Sequence, residues 1–200
     1  MKRIFDIVVS LVGLILLLPL LVFVAVLIKL DSRGPIFFRQ QRIGMAFRPF
    51  QILKFRTMID NAQRRGGLIT FARDTRITRV GRILRQTKID ELPQLINVLR
   101  GDMTFVGPRP EVPEFVELFR QDYEEILTVR PGMTDLASLK YRDEAAVLSH
   151  CSNPQEEYLR HVLPDKINLN KEYIRRSSFF FDLTLILKTL LKLFEYRISS

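Results

Sequence analysis

Residues Ile7–Ile28 read IVVSLVGLILLLPLLVFVAVLI, twenty-two positions without a charge, interrupted only by Ser10, Gly13 and Pro19. A helix of that length matches a hydrocarbon core of ~30 Å. A cleaved signal peptide fits poorly, because its apolar run is usually only ~7 to 15 residues and no small-x-small site follows this one. Lys2 and Arg3 precede the stretch, and Lys29, Arg33, Arg39 and Arg42 follow it, so the positive-inside rule places both ends on the cytoplasmic side. Pro19, near the middle, removes a helical hydrogen bond and clashes with the preceding turn, which favours a bend at membrane depth. A re-entrant hairpin reconciles bend and charges; a straight spanning helix stays open on the pattern alone.

The other end, SSFFFDLTLILKTLLKLFEYRISS (177–200), is apolar but carries Lys188, Lys192 and Glu195 on one helical face. That pattern suits a helix over 178–197 lying in a membrane interface, or an amphipathic helix packed on a core.

Two hundred residues, 47% hydrophobic, suffice for one modest domain. Lys and Arg number 31 against 22 Asp and Glu, a net charge of +9 that fits nucleic acid, phospholipid headgroups or phosphorylated substrates without choosing between them. A single cysteine, Cys151, excludes an internal disulfide framework and suits a reducing compartment. Two histidines, His150 and His161, are weak grounds for a metal site.

Between the apolar ends, PIFFRQQRIG (35–44) and PFQILKFRTM (49–58) are β-prone runs parted by Gly44 and Pro49, which predicts a hairpin. DNAQRRGGLITFARDTR (60–76) reads as a loop. Helices are expected near 78–86, 92–100, 113–127, 154–163 and 165–177, and Pro131-Gly132 marks a turn into an extended piece through Lys140. The expected class is α+β, predominantly helical, with a small β-hairpin.

The chemistry concentrates in TKIDELPQLINVLRGDMTFVGPRPE (87–111). Leu92, Leu95, Ile96 and Leu99 form a core face, Gly101 stops the helix, and Asp90, Gln94 and Asn97 lie opposite. Pro93 belongs in a first helical turn, so Asp90 and Glu91 fall at the positive end of the helix dipole. N-capping alone would explain one acid there. The surroundings suggest more: Arg73, Arg76, Arg79, Arg82 and Arg85 approach from one side and Arg109 follows on the other, a plausible setting for phosphate and metal. Spaced by three, the five arginines cannot share one face. A carboxylate attacking phosphorus needs a divalent cation and fixed positive charge, and Lys54 and Arg56 of KFRTM could add two cations or be ordinary strand charges.

Asp74–Glu111, DTRITRVGRILRQTKIDELPQLINVLRGDMTFVGPRPE, together with QRIG, KFRTM and VRPGMT, resembles the bacterial sugar transferases, the monotopic phosphoglycosyl transferases, over nearly the whole chain. The resemblance implies transfer of a sugar 1-phosphate from a UDP-sugar to undecaprenyl or another polyprenyl phosphate, with release of UMP. It makes Asp90 the nucleophile, assisted by Mg²⁺ that Asp90 helps to hold, Glu91 a supporting acid, and Arg85 and Arg109 phosphate holders, with Lys54 and Arg56 further candidates. It implies a re-entrant helix over 1–30 broken at Pro19, and a catalytic domain over 31–200 continuous with it on the cytoplasmic face of the inner membrane. Phospholipid is then a partner and nucleic acid is not; the oligomeric state is left open. Three positions depart from the family pattern. Leu18 stands where a serine commonly precedes the proline, and PGMTDLAS has Asp135 for a glycine and Ser138 for a glutamine. Without the extra N-terminal membrane helices of larger relatives, the chain resembles the minimal catalytic form. The competing classes are a membrane-anchored basic binding module and an inactive scaffold.

Overall fold

The computed structural model describes residues 1–60, 62, 74–142, 144, 148 and 153–199, the last seven by backbone alone. Most of the expected loop 60–76, Arg73, His150, Cys151 and the side chain of Glu195 lie outside the described residues.

Helix α1 (Lys2–Asp31) continues through Pro19. It is long and apolar enough to cross a membrane. Both of its ends are fastened to the rest of the chain. At the start, Arg3 donates to Val98 O at 2.5 Å and Leu99 O at 2.8 Å, and buried Asp6 accepts from Thr104 Oγ1 at 2.8 Å and Phe105 N at 3.2 Å. Lys2 pairs with Asp182 at 2.7 Å. At the far end Val24 and Ile28 share a core with Phe55 and Leu84, and Asp31 Oδ2 accepts Val80 N at 3.1 Å. Leu18, Pro19 and Leu20 are exposed in succession, as are Ile7 to Val9.

Strands β1 (Phe37–Ile43) and β2 (Pro49–Phe55) form the expected antiparallel hairpin, pairing Phe37 with Phe55 through Ile43 with Pro49. Helix α2 (Arg79–Thr87) begins at a Thr78 cap and crosses Thr57 so closely that a Cβ on Gly81 would sit 2.1 Å from Thr57 O. A 3₁₀ turn (Ile89–Glu91) and α3 (Gln94–Arg100) follow. Strand β3 (Thr104–Val106) pairs in parallel with β4 (Gly132–Thr134), a contact the sequence reading did not include.

The helix expected over 113–127 is two, α4 (Pro113–Leu118) and α5 (Arg120–Ile126), because Phe119 leaves helical geometry at φ −115 and ψ 35. The extended piece expected through Lys140 ends at Thr134. Asp135 Oδ1 accepts Ser138 N at 2.6 Å and thereby starts α6 (Leu136–Lys140). Near the C-terminus, α7 (Pro154–Glu157), a π-turn (Tyr158–Val162) and α8 (Leu163–Arg176) run on without the break expected before 165. Pro164 has no N–H for the turn behind it, and the wider π-turn directly before it fits that loss without ending the helix. The largest core joins α4, α5 and this helical run through Phe115, Ile126, Tyr158 and Leu163.

Helix α9 (Phe179–Ser199) packs Asp182, Leu185 and Thr189 inward and leaves Phe180, Leu187 and Leu191 exposed. Lys188 and Lys192 are both exposed, and Lys192 donates to Leu139 O at 2.8 Å. A Phe5–Phe179 edge contact joins α1 to α9. The helix thus has one packed face, as in the core reading, and one apolar exposed face, as in the interfacial one.

Candidate active site

Lys88 takes a left-handed conformation, φ 59, at the end of α2 and turns the chain back, after which the single turn Ile89–Glu91 carries both acids. Leu92 and Pro93 keep helical angles into α3. At seven residues α3 has a weak dipole, so the charge balance of the acids comes from side chains and not from the helix end.

Glu91 is held by two cations. Lys54 Nζ donates to Glu91 Oε1 at 2.8 Å, Arg109 Nη2 donates to the same oxygen, and Arg109 Nη1 donates to Oε2 at 3.2 Å. Burial works to raise the Glu91 pKa, but Arg109 and Lys54 outweigh it and hold the carboxyl well below the usual range. Burial lowers the Lys54 pKa against the opposing pull of Glu91, and Glu91 raises that of Arg109. The arrangement is a fixed ion triad whose anion is fully engaged.

Asp90 is its counterpart. The residue is 7% exposed, and Oδ1 is enclosed without a hydrogen-bond partner among the described residues. Burial raises its pKa, Lys54 opposes that, and the like charge of Glu91 adds to it. One acid is locked and ionised; its neighbour keeps an uncommitted oxygen. Environments that separate adjacent carboxyls in this way assign them different tasks.

Of the sequence-predicted cations, Lys54, Arg109 and Arg85 gather here. Arg85 donates to Thr57 Oγ1 at 2.8 Å, is largely buried with its pKa lowered by that burial, and lies near enough for its charge to favour ionised Asp90. Arg56 goes elsewhere: it donates to Ser32 O at 2.7 Å and Ser32 Oγ at 2.8 Å, tying β2 to the end of α1. Arg76 is taken by Asp74 at 2.6 Å, and Arg79 and Arg82 are exposed.

Three further residues support the site. Asn97 accepts Leu53 N at 2.9 Å and donates to Gln51 O at 2.8 Å, fixing α3 to the strand that carries Lys54. Asp135, fully buried, accepts Arg109 N at 3.0 Å while capping α6. Glu111 accepts from Arg42 at 2.9 Å and Tyr158 OH at 3.0 Å, anchoring the loop that bears Arg109. Asp135 was visible as a departure from the family pattern and Asn97 as part of the polar face with Asp90 and Gln94; Glu111 gave no signal apart from its place in the motif. The expected polar face of α3 is not a solvent face, since Asp90, Gln94 and Asn97 are all buried.

No group of three or more His, Cys, Asp or Glu suited to a metal occurs among the described residues. The residue that would hold Mg²⁺ is Asp90, whose carboxylate is not tied up in an ion pair as that of Glu91 is; Mg²⁺ keeps several waters and commonly takes one or two protein carboxylates plus substrate phosphates.

The model of the family described as bacterial sugar transferase matches residues 1–196. The chain belongs to that family. Among its relatives, a UDP-N-acetylgalactosamine-undecaprenyl-phosphate N-acetylgalactosaminephosphotransferase of Aeromonas hydrophila is 37% identical over 94% of this chain and 42% of its own length. An undecaprenyl-phosphate glucose phosphotransferase of Komagataeibacter xylinus is 40% identical over 94% of this chain and 35% of its own. A UDP-glucose:undecaprenyl-phosphate glucose-1-phosphate transferase of Caulobacter vibrioides is 39% identical over 94% and 67%. This bacterial sugar transferase therefore spans less than half of the first two of these relatives.

Proposed function

We propose that the chain transfers a sugar 1-phosphate from a UDP-sugar to undecaprenyl phosphate at a membrane surface, releasing UMP and starting assembly of a polysaccharide or glycoconjugate. The observation that carries this reading is the division of labour between Asp90, which no cation holds in an ion pair among the described residues, and Glu91, which is locked between Lys54 and Arg109. The relatives' named activities agree with it.

In the first step an Asp90 oxygen attacks the β-phosphorus of the UDP-sugar; the bond from that phosphorus to the bridging oxygen breaks and UMP leaves with the electron pair. In the second step an oxygen of the lipid phosphate attacks the same phosphorus and frees the Asp90 carboxylate. Lys54, Arg85 and Arg109 supply fixed positive charge where phosphate charge builds up, and Glu91 keeps two of those cations in place. Bound beside Asp90, Mg²⁺ would neutralise phosphate charge and reduce repulsion of the attacking carboxylate. Arg56 acts as a strut.

For the membrane, the reading is monotopic and re-entrant, with the chain on the cytoplasmic face of the inner membrane. A straight spanning helix would carry one end away from the body. Here Lys2–Asp6 and Val24–Asp31 are both fastened to it and the segment around Pro19 is exposed. Flanking turns stay helical across a proline bend, so the continuous helicity of α1 is compatible with one. In a Cys151→Ser background, a cysteine added before Met1 and Leu30→Cys should both react with an impermeant maleimide from the cytoplasmic side only. Labelling from opposite sides refutes this topology.

The catalytic reading is tested by UMP release from a panel of UDP-sugars with undecaprenyl phosphate and Mg²⁺. Asp90→Asn should abolish release in a folded protein, and a phosphosugar mass increment should map to the Asp90 peptide of the parent. Parental turnover by Asp90→Asn would refute the mechanism.

A further inference from the structure

Behind the loop that carries Arg109 runs a chain of enclosed polar groups. Glu111, two positions beyond that arginine, accepts from Arg42 Nη1 at 2.9 Å and from Tyr158 OH at 3.0 Å. Arg42 also donates to Pro110 O at 3.1 Å, and Ile43 N to Glu111 O at 3.1 Å, so the loop is tied to β1. Lys166 Nζ donates to Tyr158 OH at 3.3 Å and to Glu144 Oε2 at 2.7 Å. Tyr158 is 3% exposed and Lys166 is 9% exposed. Burial and the charge of Glu111 push the Tyr158 pKa up, so the hydroxyl keeps the proton it shares with Glu111 and accepts from Lys166. Burial works to raise the Glu111 pKa, and Arg42 and Lys166 outweigh it. Glu144, at the far end of the chain, lies near enough to Arg109 for its charge to favour the guanidinium.

Lys166 meets Tyr158 because of the π-turn between them. They are eight positions apart, a spacing that in a regular α-helix leaves two side chains ~80° apart around the axis. The turn Tyr158–Val162 takes up one extra residue, so the pair falls about two whole turns apart and on one face. Helical side chains lean toward the N-terminus, which carries the Lys166 ammonium back to Tyr158. Turns of this kind are frequent at functional sites. Lys166 is too enclosed to reach a substrate, and buried ion pairs are often no more stabilising than apolar side chains of the same volume. What the chain can supply is orientation.

We infer that Lys166 is a positioning residue, which acts through Tyr158 and Glu111 to hold the 109–111 loop so that Arg109 faces the phosphates of the UDP-sugar. This rests on the proposed phosphate role of Arg109. The π-turn is the device that brings Lys166 into register, and Arg42 closes the chain on the side of β1.

The test pairs kinetics with a stability measurement that needs no substrate, both on the full-length detergent-solubilised protein. Lys166→Met keeps the stem and removes the ammonium. In UMP release it should raise KM for UDP-sugar about fivefold or more, with kcat within about twofold of the parent. Lys171→Met, on the same helix, removes a 2.7 Å ion pair to Asp122 away from this chain and should leave KM unchanged. Arg109→Lys should itself raise KM, and adding Lys166→Met to it should raise KM little further, because the two act along one route. In thermal unfolding, Lys166→Met and Glu111→Gln should give shifts that are not additive, while Lys171→Met and Glu111→Gln should add.

A parental KM for Lys166→Met overturns the inference, as does an equal rise from Lys171→Met, a loss confined to kcat, or a full further rise in the Arg109→Lys background. Additive thermal shifts for Lys166→Met with Glu111→Gln also overturn it. If the parent releases no UMP from any UDP-sugar, or Arg109→Lys leaves KM at the parental value, it is the proposed function or the role of Arg109 that fails, and the thermal cycle still decides whether the chain exists. Should Lys166→Met not fold, Tyr158→Phe, which removes only the connecting hydroxyl, takes its place in both measurements.

Discussion

Replacing Glu91 by glutamine isolates what the ion triad contributes. The side chains of Glu91, Lys54 and Arg109 are 16%, 20% and 29% exposed, so the triad is neither open to water nor dry. Gln preserves shape and one acceptor but removes the charge that two cations share. Removing one partner of a buried pair costs ~3–5 kcal/mol, and an exposed pair contributes ~0–1 kcal/mol. The partial exposure places Glu91→Gln between these limits, at ~2–3 kcal/mol. For a chain of this size that corresponds to a fall in Tm of about 4–12 °C. The pH dependence has a definite sign. The folded-state pKa of Glu91 is held down by Arg109 and Lys54 against the effect of burial, so its stabilisation is present above the ordinary carboxylate value of 4.5 and is lost as pH falls from there toward the depressed value. The gap between parent and variant should be widest at neutral pH and shrink on acidification below about 4.5. The chain has no tryptophan, so unfolding is best followed by helical circular dichroism in detergent. Equal Tm values at neutral pH, or a gap that widens with acid, would refute the view that Glu91 is an ionised organiser of the two cations.

Asp90→Asn should be at least as stable as the parent at neutral pH, because burial raises the Asp90 pKa and the stability that favours its protonated form is lost as pH rises through the raised value; a lower Tm would contradict this. Gly81→Ala should lose roughly 1–3 kcal/mol, since the new Cβ meets Thr57 O across the α2 crossing, and an unchanged Tm would show that the crossing is looser than described. Asp135→Ala should cost about 1 kcal/mol through the lost α6 cap and raise KM for UDP-sugar by freeing Arg109, while Asp135→Asn, which keeps an acceptor, should restore much of both. Arg56→Met should lower Tm with KM unchanged, as befits a strut to Ser32; a selective rise in KM would return Arg56 to the phosphate site.

Local patterns in the sequence were enough for several features. Twenty-two uncharged residues specified a membrane-scale helix, Gly44 and Pro49 marked a hairpin, and the neighbours of Pro93 put two acids at a turn. These follow from periodicity and backbone chemistry within a few residues. Tertiary structure decided which acid is free, because Glu91 meets Lys54 and Arg109 from segments 37 and 18 residues away. It also separated Lys54 from Arg56, which adjoin the same face of one strand yet serve the ion triad on Glu91 and the end of α1. The short parallel pairing of β3 with β4 and the fastening of both ends of α1 likewise depend on contacts across the chain. Spacing along a sequence names the groups that could react, but burial and long-range charge determine which oxygen is left without a partner.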